Sequence, residues 1–66
     1  MPIVRVELLP GRTQAQKASY VRELTRITAE ILECPPESID VIFTEIQPHD
    51  WAHAGQFYNP RVESSA

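Results

Sequence analysis

A single cysteine, Cys34, excludes any intrachain disulfide, and two glycines, Gly11 and Gly55, are too few for a glycine-rich phosphate loop. Apolar runs are only a few residues long, and no basic segment leads into an apolar core near the N-terminus. The sequence therefore predicts neither a membrane span nor a secretory signal, and points to a cytoplasmic location. Positive charge is scarce as well. Six Lys and Arg stand against nine Asp and Glu, for a net charge of −3. That balance offers no broad footprint for a phosphate backbone and argues against a nucleic-acid partner.

Interior is also in short supply. Scaling rules for a chain of 66 residues give roughly 6,600 Å² buried on folding, a gain of about 100 kcal/mol that the cost of ordering the chain nearly cancels. Without disulfides, oligomerisation is the expected way out. Hydrophobic residues make up 42% of the chain and charged ones 23%, which suits a globular domain rather than a disordered segment.

What is present organises into a short series of elements. Ile3 to Leu9 alternates, with Val4, Val6 and Leu8 on one face and Arg5 and Glu7 on the other, which predicts a strand. Pro10-Gly11 breaks it. Thr13 with Gln16 forms a capping box, and from Gln14 to about Glu33 the residues Ala18, Val21, Leu24, Thr28, Ile31 and Leu32 recur at helical spacing, leaving Lys17, Arg22, Arg26 and Glu30 outside. Cys34-Pro35-Pro36 ends the helix, since a proline disfavours helical geometry in the residue before it. Ile39 to Ile46 is apolar on both faces and predicts a central strand. Gln47 to Trp51 reads as a loop, and Ala52 to Tyr58 as a short strand or hairpin around Gly55. The expected fold is a right-handed parallel β-α-β unit over residues 1–58, with residues 59–66 as a mobile tail. One helix covers only one face of such a sheet, so the other face calls for a partner chain.

Few residues carry chemistry. Pro2 becomes a free secondary amine if the initiator methionine is removed. At the head of a buried strand, desolvation and a nearby guanidinium both favour the neutral amine, lowering its pKa from the model α-amino range of about 7.7–8.0 and making it a usable general base. Arg12 puts a fixed cation at the strand-to-helix turn, and Trp51, the only tryptophan, lies in a loop. His49, Asp50 and His53 lack a Cys or Glu partner at a known metal-ligand spacing, so no metal is expected. Cys34 sits beside two prolines and has no histidine near it in sequence, which marks it as structural.

Met1-Pro2-Ile3-Val4, Leu8-Leu9-Pro10-Gly11-Arg12-Thr13, Gln16-Lys17, Pro36-Glu37-Ser38-Ile39, Val41-Ile42, Thr44-Glu45, Asp50-Trp51 and Ala54-Gly55 occur in one collinear order. This set resembles the 4-oxalocrotonate tautomerase family over about the first 55 residues. The resemblance implies a β-α-β subunit with a short C-terminal hairpin, sheets pairing across a dimer, and a homohexamer built as a trimer of dimers. It implies a cofactor-independent keto-enol tautomerase acting on a small 2-oxo carboxylate. Pro2 would be the catalytic acid/base, Arg12 would bind the substrate carboxylate, and Trp51 would form an apolar wall.

One position departs from the pattern. Asp40 stands where the muconate-type members of the family have a second arginine, and an acid there repels a dianionic substrate. His53 falls where a hydratase or dehalogenase branch has its glutamate. Two alternatives therefore accompany the tautomerase expectation. One is a hydratase or dehalogenase of small unsaturated acids, with His53 or Asp40 orienting water. The other is a non-catalytic oligomeric scaffold.

Overall fold

The computed structural model describes residues 2–58. Strand β1, Ile3–Leu8, leads through helix α1, Gln14–Leu32, to strand β2, Asp40–Glu45. The two strands pair in parallel, with Ile3 opposite Asp40 and Leu8 opposite Glu45. A two-residue ladder of β3, Ala52–His53, and β4, Gln56–Phe57, follows as an antiparallel hairpin. The domain span expected from the sequence covers the described residues; the expected tail, 59–66, lies outside them.

Local chemistry sets the boundaries of α1. Thr13 Oγ1 accepts the Gln16 N–H at 3.1 Å, while Gln16 Oε1 accepts the Thr13 N–H at 2.9 Å, so the capping box is complete. At the other end Glu33 turns left-handed, at φ 57° and ψ 53°. Its N–H and that of Cys34 both donate to the Ala29 carbonyl. Pro35 then holds the chain extended into a short 3₁₀ turn, Pro36–Ser38. The hairpin turns on Ala54 and Gly55, both at positive φ, the geometry that matches the twist of two strands joined by a two-residue loop.

In β1 the half-buried residues are Val4, Val6 and Leu8, as the alternation predicts. The inward face of α1 differs from the expected one. Lys17, Val21, Leu24, Thr25, Thr28 and Ala29 are half-buried, whereas Ala18, Ile31 and Leu32 are exposed. The true stripe runs 17, 21, 24, 28, and counting only apolar residues shifted the expected face by rejecting Lys17. The expectation for β2 also needs correction: it has one strand neighbour, β1, and so is an edge rather than a central strand within the described chain. The outer sheet face carries Arg5, Glu7, Asp40 and Thr44 with Ile3 and Ile42, a mixture of charge and apolar surface.

Almost nothing is fully enclosed. Ile39, at 9% exposure, is the one buried apolar side chain among the described residues. The accessible surface is 5214 Å², against roughly 4,200 Å² for a compact monomer of this mass. Tyr20, Ile27, Ile31 and Leu32 of α1, Ile3 and Ile42 of the sheet, and Phe57 and Tyr58 of the hairpin all remain exposed.

Candidate active site

Parallel strands give the sheet two distinct ends, and the candidate residues divide between them. Pro2 is half-buried at the N-terminal end, where its carbonyl accepts the Asp40 N–H at 3.0 Å. Buried Ile39 precedes Asp40 at this end. Asp40 itself is exposed, on the sheet face opposite Val41 and Phe43. Strand β1, six residues at about 3.3 Å each, thus separates Pro2 from the turn that carries Arg12 by roughly 20 Å of extended chain.

Arg12 lines a cavity of about 180 Å³ between β1, β2 and the first turns of α1. Val6, Leu8, Tyr20 and Phe43 line it together with Arg12, Gln16 and Lys17, and the lining surface is almost wholly apolar, so the last three contribute mainly their carbon stems. The rings of Tyr20 and Phe43 meet at a tilt, with centroids 6.2 Å apart. Lys17 Nζ lies 2.6 Å from Glu45 Oε2 and 5.8 Å from the centre of the Phe43 ring. Arg12 makes no ion pair among the described residues. An unpaired guanidinium beside apolar walls suits a carboxylate, which it can grip with two parallel hydrogen bonds. The N-terminus of α1 adds positive potential at the same end, and no acidic residue occupies its first turn.

Trp51 follows a second short 3₁₀ turn, Pro48–Asp50, and its N–H donates to the Pro48 carbonyl at 3.3 Å. Half-buried, it stacks on Tyr58 with centroids 5.8 Å apart and planes 15° from parallel. The Tyr58 N–H closes this unit by donating to the Trp51 carbonyl at 2.9 Å. His53 is exposed in β3 opposite Gln56. His49 Nε2 lies 3.6 Å from Asp50 Oδ2, and no group of three metal-type ligands occurs among the described residues. Cys34 is a free thiol at the end of α1.

The family model for tautomerase enzymes matches residues 2–59. The chain belongs to the tautomerase family. A probable tautomerase of Listeria monocytogenes serotype 4b is 40% identical over 55 residues, covering 83% of this chain and 90% of its own. Among solved structures, TomN, a 4-oxalocrotonate tautomerase homologue in the tomaymycin biosynthetic pathway, superposes with a TM-score of 0.84 at 34% identity. That match spans 98% of this chain and all of TomN. A heterohexamer 4-oxalocrotonate tautomerase from Chloroflexus aurantiacus gives a TM-score of 0.82 at 29% identity, over 88% of this chain and 94% of its own. The β-α-β fold with a C-terminal hairpin is thus the tautomerase fold, as the resemblance implied.

Sequence reasoning placed Pro2 at the head of β1 and Arg12 at the turn after it, but did not draw the consequence that the strand holds them apart within one chain. It also missed Gln16, Lys17, Tyr20 and Phe43 as lining of the cavity around Arg12. The signal was available for Lys17: it stands four residues before Val21, in line with Leu24 and Thr28.

Proposed function

We propose that this tautomerase-family chain is a cofactor-independent isomerase of small 2-oxo carboxylates, with its site assembled from two subunits. Pro2, freed by removal of Met1, supplies a neutral secondary amine. It takes the proton from the enol hydroxyl and returns one to carbon, so an O–H bond breaks, a C–H bond forms, and no redox change occurs. Arg12 of a neighbouring subunit holds the carboxylate, and Trp51 contributes an apolar wall. Antiparallel pairing of two β1 edges would bring the Pro2 end of one subunit to the Arg12 end of the other. A homohexamer assembled from such dimers is the expected whole, and the heterohexamer from Chloroflexus aurantiacus supports that number for a related fold.

The observation that carries this reading is that Pro2 and Arg12 lie at opposite ends of β1 in a chain with so little interior of its own. Hydration of unsaturated acids is the second reading, and one contact favours it: Asp40 is the acid whose backbone touches Pro2. The test is ketonisation of phenylenolpyruvate by the processed chain and by a chain that keeps Met1. Acylation makes the proline nitrogen an amide, so only the processed form should turn over. Equal rates would remove Pro2 as the base, and turnover of an acetylenic acid in preference to the enol would favour the hydratase reading.

A further inference from the structure

Asp40 leaves open which group stabilises the oxygen next to the substrate carboxylate. We propose that Lys17 does so: Arg12 takes the carboxylate, and Lys17 donates a hydrogen bond to the C2 oxygen of an enol or 2-oxo acid. This assignment rests on the tautomerase reading and names the substrate group that the cavity distinguishes.

Three features make Lys17 suited to that task. Its stem lines the same cavity as Arg12, and its ammonium lies 5.8 Å from the centre of the Phe43 ring that walls that cavity. Its ammonium is anchored rather than free to swing: Glu45 accepts one hydrogen bond at 2.6 Å, Phe43 lies beneath it at 5.8 Å, and the side chain is only 18% exposed. An ammonium carries three donors, and Glu45 consumes one, so donor capacity remains for the cavity. A donor fixed in advance beside an apolar ring is most effective where charge develops on an oxygen during the reaction.

Glu45 also tunes the selectivity. The Lys17–Glu45 pair is neutral overall, so it offers a hydrogen bond without the attraction of an unpaired cation. The cavity should therefore recognise a carboxylate with an adjacent oxygen, rather than a second, distant carboxylate. A purely structural ion pair pinning α1 to β2 would leave that recognition untouched.

The test compares pyruvate with propionate, which differ at C2, by nuclear magnetic resonance titration of the assembled protein. The wild type should prefer pyruvate by about tenfold, the effect of one charge-assisted hydrogen bond. Lys17→Met should abolish that margin while propionate affinity persists, and Lys17→Arg should retain much of it. Glu45→Gln, which keeps the ammonium but loosens its anchor, should reduce the margin and provides a second variant if Lys17→Met does not fold. In phenylenolpyruvate ketonisation, Lys17→Met should lower kcat by about 100-fold and raise KM by no more than the roughly tenfold binding margin. An undiminished pyruvate margin in folded Lys17→Met, or no margin in the wild type, overturns the assignment. A Lys17-dependent margin in a wild type that does not ketonise the enol would instead overturn the tautomerase reading and leave Lys17 as a recognition residue.

Discussion

In the proposed site Arg12 and Asp40 would set which acids are accepted, and the two residues stand at opposite ends of the sheet. With Asp40 one hydrogen bond from Pro2, a monoacid held by Arg12 meets no close anion, whereas a diacid brings its second charge toward the aspartate. We expect a higher kcat/KM for phenylenolpyruvate than for 2-hydroxymuconate, and expect Asp40→Arg to shift that ratio toward the diacid by about tenfold. Measuring both substrates on both proteins checks it, and an unchanged ratio would put Asp40 outside the site. Sequence alone identified Asp40 as a departure because a carboxylate and a guanidinium have opposite chemistry. It did not reveal Lys17, because a lysine stem can bury its methylenes while a charge pattern registers only the head.

Within the elements, the capping box of α1 was readable because Thr13 and Gln16 satisfy each other three residues apart, with no help from tertiary contacts. The exit from α1 was less readable. Cys34-Pro35 fixed the region, but nothing in the sequence named Glu33 as the left-handed residue, since glutamate has no preference for that conformation. Its positive φ gives a direct prediction. Glu33→Gly removes the Cβ clash at the helix end and should stabilise the fold by about 0.5–1 kcal/mol, raising the thermal midpoint. Calorimetry of the two proteins decides it, and a lower midpoint would mean that the glutamate side chain contributes more than its backbone strain costs. The edge position of β2 was likewise not legible: its two apolar faces reported burial, and burial by a second chain reads the same as burial by a neighbouring strand.

For the molecule as a whole, one nearly buried apolar side chain and a row of exposed ones along α1 describe a subunit that lacks an interior of its own. Tyr20, Ile27 and Ile31 fall on one flank of the helix, beside half-buried Leu24, where a second copy would cover them. Sedimentation at micromolar concentration should therefore find an oligomer, with a hexamer as the expected species, and a stable compact monomer would contradict the assembly. Composition already pointed this way through the balance of burial and ordering. What composition could not give is the proposal that an assembly would also complete the site, which rests on the parallel register that sends Pro2 and Arg12 to opposite ends of one chain. The central claim is thus a site shared between chains, and mixing two inactive proteins tests it most directly. One carries Arg12→Ala with a free Pro2; the other retains Arg12 but has its proline acylated by an N-terminal extension. Dissociated together in equal amounts and reassembled, they should regain ketonisation of phenylenolpyruvate, with about a quarter of the sites intact if subunits pair at random. Mixed assemblies that form but remain as inactive as their parents would contradict the shared site.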